Sequence, residues 1–388
     1  MSAFLFENAH HVWMTISSVI NGVYWQAGLS PDAIHLFVTL IWFAKHWMSY
    51  LIGANSSRAD IMNDSNFLNL STRNLLKILN EIDQLLQTGF SDETSQASPL
   101  VGCTLFHNEG HYERGIADAA LGRLGGTASH FTWPESYTLS TREQLDEAEV
   151  VASAADVLLS AQVSKDSFGN GRALTERMAK QSQADFISLH DDVYAHQSAM
   201  AVLSAFRTAL VDLQGKNIAI SWAFGSRFVL PSTAHSLLSL AAKFGSNVRI
   251  VAPSKFSLLR RVYKDARKIA KAKPTEITEV EDFEDAFIDA DAVFALNWGS
   301  FDNFNHPERN SSDAQGFEDW YFTRETIGDD GLFMTEPPVR REMVATPNLL
   351  SSTRNLTGEW LARRIATLVS TIRFVREQND THHPIALL

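Results

Sequence analysis

Apolar residues recur at regular spacing along most of the chain. Behind Ser71, leucines and isoleucines repeat every three or four residues from Leu75 to Leu86, which predicts a helix that Ser71 caps and that ends at Thr88 and Gly89. Short apolar runs bounded by glycines or polar residues predict buried strands. These predicted strands are 100–106, 186–189, 217–222, 247–252 and 292–298.

Helical patterns separate the predicted strands. The predicted helices are a stretch ending at Leu124-Gly125-Gly126, then 143–159, 171–183, 232–244, 256–271, the acidic 281–288 and a closing helix from Glu359. Strands that alternate with helices at this spacing require parallel sheets with crossover helices on their faces. The sequence therefore predicts an α/β fold with two doubly wound parallel-sheet lobes.

The first 62 residues form a hydrophobic extension. Residues 33–53 are long enough to cross a bilayer, but His35, Lys45 and His46 interrupt them and no basic cluster flanks one side. A membrane span is disfavoured, and an amphipathic or oligomer-burying pair of helices is expected instead. Alternatively, the domain that follows starts at Met62, and the residues before it are a dispensable extension. The predicted domains are the helical extension at 1–62, a first lobe at 66–205, a second lobe at 206–355, and a C-terminal helix at 356–388 that returns to the first lobe.

Composition narrows the classes of function. Of 388 residues, 45% are hydrophobic and 20% are charged, as in ordinary globular proteins. The net charge of −12 and the lack of a dense basic run argue against nucleic acid as a partner. Cys103 is the single cysteine, so the chain forms no internal disulfide and no Cys-rich zinc site. A cytoplasmic location fits this cysteine usage.

Residues 213–244 and 291–346 resemble the aspartate/ornithine carbamoyltransferases, and most closely their knotted acylornithine branch. The resemblance is carried by the Trp222 strand, the Asn297-Trp298-Gly299 turn and the Pro338-Val339-Arg340-Arg341 ending. In that family, one lobe binds carbamoyl phosphate, the other binds an amino acid, and the amine of the amino acid attacks the carbamoyl carbon. The resemblance implies a transcarbamylase fold, a homotrimer, a small amino-acid substrate and no cofactor or metal. The resemblance also suggests that the chain forms a knot in the region of residues 224–231. The sequence alone does not decide whether this knot forms.

The phosphate-binding loop departs from the family pattern Ser-x-Arg-Thr-Arg. In the matching frame, Gly110 replaces the serine, His111 follows it, Tyr112 replaces the first arginine and Glu113 replaces the threonine, so only Arg114 keeps its residue type. A carboxylate ~4 Å from a phosphate costs about 4 kcal/mol per unit charge at an effective dielectric constant near 20. Carbamoyl phosphate should therefore bind roughly a thousandfold more weakly.

Other ligand positions have also changed. The element that corresponds to the family's His-Pro-x-Gln falls on Tyr194-Ala195-His196-Gln197, and Glu336 replaces the cysteine of the substrate loop. The candidate catalytic residues are Arg114, His196, Gln197 and Glu336. The candidate substrate-binding residues are Gly110, His111, Tyr112, Glu113, Lys165, Trp222, Arg227, Asn297, Trp298 and Arg340. For the two tryptophans, packing in the core is an equal alternative.

Three functional hypotheses stay open. The first is a carbamoyltransferase with altered contacts. The second is a cleft that has been recruited to other chemistry in a specialised biosynthetic pathway, without carbamoyl phosphate. There, imidazoles and carboxylates would hold a metal or form an acid–base pair, although a solvated polar cleft is the simpler interpretation. The residues concerned are His107, Glu109, His111, Tyr112, Glu113, His196 and Glu336. The third is a catalytically silent paralogue that acts as a binding or oligomeric partner.

Overall fold

A computed structural model of the chain describes residues 67–90, 100–107, 111–133, 139–163, 168–284, 286–339 and 343–382. All of them belong to one compact unit, 61–388. The predicted hydrophobic extension, including 33–53, lies outside the described residues. Within the described ranges, no helix is long and apolar enough to cross a membrane.

The first lobe is built on a four-stranded parallel sheet in the order β2-β1-β3-β4. Its crossover helices lie between consecutive strands, and α5 leads into the second lobe. The elements are α1 (Thr72–Gln87), β1 (Val101–His107), α2 (His111–Arg123), β2 (Thr127–Trp133), α3 (Thr141–Ala152), β3 (Val157–Gln162), α4 (Asn170–Gln181), β4 (Asp185–Asp191) and α5 (His196–Leu210).

The second lobe contains a five-stranded parallel sheet in the order β7-β6-β5-β8-β9. Two parallel sheets with crossover helices confirm the predicted fold class. The elements are β5 (Asn217–Trp222), α6 (Ser232–Phe244), β6 (Asn247–Val251), α7 (Arg260–Ala270), β7 (Ile277–Val280), β8 (Ala292–Leu296), α8 (Asn310–Asp313), β9 (Leu332–Thr335) and α9 (Pro347–Leu350), followed by α10 (Trp360–His382).

The local sequence of helix α1 determines where the helix begins and which of its faces is buried. The Ser71 hydroxyl accepts a hydrogen bond from the Asn74 backbone N–H at 3.1 Å, which confirms the predicted cap. The predicted apolar face of the helix is buried, with Leu75, Ile78 and Ile82 in the core. The same three- and four-residue spacing that predicted the helix thus determines which face packs inward.

Two predicted helices are wrong. The predicted helix at 143–159 ends at Ala152, and the chain then forms β3, in which all six residues are buried. A strand buried on both faces has no alternating pattern, so its apolar run could be taken for the end of a helix. The acidic segment 281–288 forms turns and no helix over its described residues. Its high acidity indicated an exposed segment but not its backbone conformation.

Helix α10 closes the first lobe after the chain has completed the second one. It packs against α1, α2 and α5, and its buried residues include Trp360, Ala366 and Val369. This return places the first turns of α10 beside the boundary between the two lobes. Side chains from three distant parts of the sequence therefore meet at that boundary.

Candidate functional site

A cavity of about 290 Å³ lies between the two lobes. Because every strand of each sheet is parallel, the carboxyl ends of the strands share one edge, where open α/β sheets bind ligands. Residues at the carboxyl ends of β4, β8 and β9 line this cavity. The polar and aromatic residues of its wall are Tyr112, Glu113, His190, Ser198, Ser226, Arg227, Ser232, Thr233, Asn297, Thr335, Glu336 and Trp360.

Tyr112 and Glu113 enter the cavity from the first turn of α2. The Tyr112 ring packs edge-on against the Trp360 indole, with 5.3 Å between ring centroids. The Glu113 side chain retains 20% exposure, and its Oε1 lies 4.0 Å from Nε2 of His190. The sequence predicted that Glu113 lies where the family has its phosphate-binding loop. In the structure, the Glu113 carboxylate faces the cavity.

Glu336 enters the cavity from the second lobe, directly after β9. Its Oε1 accepts a hydrogen bond from the Thr233 hydroxyl, in the first turn of α6, at 3.0 Å. Glu336 lies deep in the protein but remains open to the cavity. Burial raises the pKa of its carboxyl group, the nearby Glu113 raises it further, and Arg364 and the Thr233 hydroxyl oppose the rise.

Arg364 of α10 supplies the buried positive charge behind the cavity wall, and no motif in the sequence indicated it. It is 2% exposed, donates a hydrogen bond to the Ser198 hydroxyl, and its guanidinium carbon lies 5.5 Å from the centroid of the Trp360 ring. Burial lowers its pKa, while the charges of Glu113 and Glu336 oppose that change. The charge of Arg364 is thus balanced by carboxylates from both lobes.

Asn297 follows β8 and lines the cavity. It is 5% exposed, and its Nδ2 donates a hydrogen bond to the Ala223 carbonyl at 2.7 Å. Its Oδ1 is buried and has no hydrogen-bond partner among the described residues. A buried carbonyl oxygen without a donor is costly, so a small movement of this side chain toward the cavity would allow Oδ1 to gain a partner.

Arg227 lies at the rim of the cavity and is exposed. Its guanidinium forms no ion pair with any described residue. An exposed guanidinium at this position suits an anionic group of a ligand, such as an α-carboxylate.

Several predicted site residues lie away from the cavity wall. Arg114 donates a hydrogen bond to the Thr132 hydroxyl on β2, and Gln197 is buried against Thr371 of α10, to which its Nε2 donates at 3.1 Å. His196 is stacked between Phe67 and Tyr194, at centroid distances of 6.0 and 5.0 Å. A direct contact between these three candidates and a ligand in the cavity is therefore not supported.

The two tryptophans belong to the core of the second lobe. Trp222 and Trp298 are fully buried, and neither lines the cavity. The Trp222 indole N–H donates to the Trp298 carbonyl at 2.9 Å, and the Trp298 indole N–H donates to the Phe256 carbonyl at 2.7 Å. Their placement favours the packing alternative over substrate binding, because buried indoles with satisfied N–H groups stabilise a core.

The remaining predictions fall on parts of the chain that the structure does not describe. Gly110, Lys165 and Arg340 lie outside the described residues, and His111 is described only as the first residue of α2. Over the described ranges, no group of three or more histidine, cysteine, aspartate or glutamate side chains could hold a metal ion. His107, which was considered for such a group, packs edge-on against Trp133 at 6.0 Å between centroids.

Comparison with known proteins agrees with this two-lobed architecture. Residues 219–367 match the family model of the aspartate/ornithine carbamoyltransferase, Asp/Orn binding domain. A crystal structure of acetylornithine transcarbamylase complexed with acetylcitrulline superimposes with a TM-score of 0.71 over 79% of this chain and 97% of that one, at 18% identity. The second lobe therefore resembles the Asp/Orn binding domain of the aspartate/ornithine carbamoyltransferases, and the chain has the transcarbamylase fold.

Relatives by sequence include named members of this carbamoyltransferase family. N-acetylornithine carbamoyltransferase of Xanthomonas campestris is 24% identical over 301 residues, which cover 70% of this chain and 87% of that protein. Putative carbamoyltransferase YgeW of Escherichia coli K12 is 30% identical over 119 residues, and this match spans only 30% of each protein. These comparisons establish the transcarbamylase fold and a resemblance in sequence to the carbamoyltransferases.

Proposed function

We propose that this chain binds a small amino acid through a cationic amine and acts on it without carbamoyl phosphate. The observation that carries the proposal is the Glu113 carboxylate, which lines the cavity from the first turn of α2. By resemblance, this turn corresponds to the phosphate loop of the family. The protein thus supplies its own anion at the helix N-terminus, where the helix dipole favours negative charge.

The charges around the cavity support a cation rather than a dianion as ligand. Glu113 and Glu336 approach the cavity from opposite lobes, each beside the N-terminal turn of a helix. A phosphate would meet like charge there, whereas an ammonium group would be attracted to it. Because Arg364 already has Glu113 and Glu336 as electrostatic partners, its charge is partly neutralised.

Two further groups suit an amino acid. Asn297 lines the cavity with a buried Oδ1 that would accept an N–H from a ligand after a small side-chain movement, and Arg227 at the rim is placed to meet a carboxylate. A ligand with an amine at one end and a carboxylate at the other would satisfy both. Ornithine-like amino acids have this arrangement, which keeps the proposal close to the amine-binding role of the second lobe in the family.

Carbamoyl transfer with altered contacts is the second candidate. The specific observation in its favour is Arg227, whose guanidinium is not ion-paired with any described residue and could approach an anion at the cavity rim. This hypothesis requires that Arg227, together with Lys165 and Arg340, binds phosphate strongly enough to overcome repulsion by Glu113. It predicts release of phosphate and formation of a citrulline-type product.

Calorimetry with ornithine, N-acetylornithine, inorganic phosphate and carbamoyl phosphate tests the proposal. We expect at least one amine to bind, phosphate and carbamoyl phosphate to bind negligibly, and Glu113→Gln to weaken amine binding tenfold or more. Glu149→Gln is the matched control, because Glu149 is exposed on α3 and does not line the cavity. Tight carbamoyl phosphate binding with turnover to a carbamoylated amine would refute the proposal and support the second candidate.

We further infer that the protein acts as a homotrimer in the cytoplasm. The family resemblance supports the trimer, and the single cysteine supports a reducing compartment. Light scattering on the purified protein tests the first inference, since a mass of one subunit would contradict it. Fractionation of cells that express the full chain tests the second.

A further inference from the structure

We propose that a second cavity of this protein binds an uncharged small molecule that has an aromatic body and a carboxamide group. This cavity has a volume of about 490 Å³, within the range of roughly 300–1,000 Å³ that is typical of small-molecule sites. It borders the cavity between the lobes at Val229 and Leu230, which line both. The inference goes beyond the proposed function and does not depend on it.

The body of this second cavity is apolar. The apolar side chains of its wall come from the end of β3 and from the loops after β5 and β8, and they include Val163, Phe228, Leu230, Pro231, Phe301 and Phe304. The Phe301 ring is held on two sides, because it stacks on His235 at 5.6 Å between centroids and packs edge-on against Phe168 at 4.8 Å. Among the described residues, no charged side chain lines this wall, so the cavity favours an uncharged ligand.

Asn310 supplies a hydrogen-bond donor to this second cavity. It is 4% exposed, and its Oδ1 accepts hydrogen bonds from the Ser300 backbone N–H at 2.9 Å and from Nδ2 of Asn303 at 3.1 Å. A backbone N–H only donates, so the contact with Ser300 fixes which atom of the Asn310 amide is the oxygen. Its Nδ2 donates to no described residue and is not fully enclosed. This Nδ2 lies against Gly299, which also lines the cavity and where a Cβ would approach it to 2.8 Å.

Asn303 supplies an acceptor to the same cavity. It is 5% exposed, and its Nδ2 donates to Oδ1 of Asn310 and, at 2.8 Å, to the Asp313 carboxylate. Because a carboxylate only accepts, this contact fixes which atom of the Asn303 amide is the nitrogen. Its Oδ1 has no donor among the described residues and is not fully enclosed. Buried amide groups without partners are uncommon in folded proteins, so the two asparagines are suited to a ligand that pairs with both.

A carboxamide complements these two asparagines. Its carbonyl oxygen would accept from Nδ2 of Asn310, and its N–H would donate to Oδ1 of Asn303. A carboxylate would also accept from Asn310, but it would set two acceptors against each other at Asn303, which is already bonded to the anionic Asp313. An ammonium group would donate to Asn303 but would accept nothing from Asn310. The hydrogen-bonding pattern therefore selects a carboxamide over either charged group.

Ligand-observed NMR titration of the full chain with benzamide tests this inference. Benzoate and benzylamine are the matched probes, because they keep the aromatic body and replace the carboxamide by a carboxylate or an ammonium group. We expect benzamide to bind at least tenfold more tightly than either. Asn310→Asp keeps an oxygen that accepts from Ser300 and removes the Nδ2 donor, so it should weaken benzamide binding at least tenfold. Asn80→Asp is the matched control, because Asn80 is exposed on α1 and does not line this cavity.

Val163→Phe provides an independent test, because it fills the apolar part of the cavity and leaves both asparagines in place. It should also weaken benzamide binding at least tenfold, whereas Val150→Phe, at an exposed position on α3, should not. Thermal melting checks that each variant is folded, and Val163→Phe decides if Asn310→Asp does not fold. Three results would overturn the inference: no benzamide binding at millimolar concentration, benzoate binding as tight as that of benzamide, or benzamide binding that the folded variants leave unchanged. The proposed function would stand under each of them, because none involves an amine ligand in the first cavity.

Discussion

The Thr233 hydroxyl donates a hydrogen bond to Oε1 of Glu336 at 3.0 Å, which fixes a carboxylate from the end of β9 to the first turn of α6. Glu113 occupies the first turn of α2 in the other lobe. Both carboxylates thus lie beside helix N-termini, where the helix dipole favours negative charge. The two carboxylates approach the cavity from different lobes and share Arg364 as a buried electrostatic partner.

Replacing Arg364 tests this arrangement. Arg364→Met would leave Glu113 and Glu336 without their buried counter-charge, and removing one partner of a buried ionic group costs roughly 3–5 kcal/mol. We expect the free energy of unfolding in urea to fall by about that amount. The double variant Arg364→Met, Glu336→Met should recover part of the loss because it leaves fewer unpaired buried charges. A double variant as unstable as the single one would contradict the charge balance.

Restoring family residues to the phosphate loop should restore anion binding. Tyr112→Arg adds a cation and Glu113→Thr removes an anion, both at positions that line the cavity. Relief of about 4 kcal/mol of repulsion corresponds to roughly a thousandfold tighter binding of phosphate or carbamoyl phosphate. Calorimetry of the double variant measures this gain. Tyr112→Phe, Glu113→Gln is the control that removes the charge without adding a cation, and it should gain less.

Much of the fold was predictable because the responsible signals are local. Strand β5 and helix α6 were predicted with the bounds that the structure shows, since the apolar run at 217–222 and the helical pattern at 232–244 are clearly delimited. Strand β2 was not predicted because it lies at the sheet edge, with alternate residues exposed and no apolar run. A strand of this kind is specified mainly by its pairing with β1, which sequence spacing alone does not show.

The candidate site was only partly predictable for a different physical reason. Glu113 and Glu336 could be assigned to one cleft by their frame in the resemblance, and both line the cavity. Arg364 could not be assigned, because its contact with the site depends on the path of α10 back to the first lobe. Asn297 and Trp298 are adjacent in the chain and were both candidate substrate-binding residues, but their positions differ. Asn297 lines the cavity, whereas Trp298 is buried in the core.

Trp222 should contribute to stability and not to ligand binding. Its ring stacks on Phe256 at 4.6 Å between centroids, and its indole N–H satisfies the Trp298 carbonyl. Trp222→Phe removes that hydrogen bond and leaves a small void, which should lower the free energy of unfolding by about 1–3 kcal/mol. Amine affinity should stay within a factor of two of the unaltered protein. A tenfold loss of affinity in a folded variant would assign Trp222 to the binding site instead.

The histidines buried in the core should make the protein sensitive to acid. Burial lowers the pKa of His196 to about 3 and that of His235 to about 4, so both are neutral in the folded state at pH 5. The unfolded chain binds protons at these histidines below about pH 6.5. Their contribution to stability is therefore complete above that pH and is lost as the pH falls toward the folded-state values, at about 1.4 kcal/mol per pH unit for each histidine.

His196→Phe should remove one of these two contributions. Phenylalanine can keep the stack with Phe67 and Tyr194, and it eliminates two buried ring nitrogens that have no partner among the described residues. Urea unfolding at pH 7.5 and pH 5 should show stability close to the unaltered protein at the higher pH and a relative gain of about 2 kcal/mol at the lower one. The remaining acid sensitivity should reflect His235, whose Nδ1 lies 2.8 Å from the Val193 carbonyl. An unchanged loss of stability between the two pH values would mean that His196 is not a buried neutral imidazole in the folded protein.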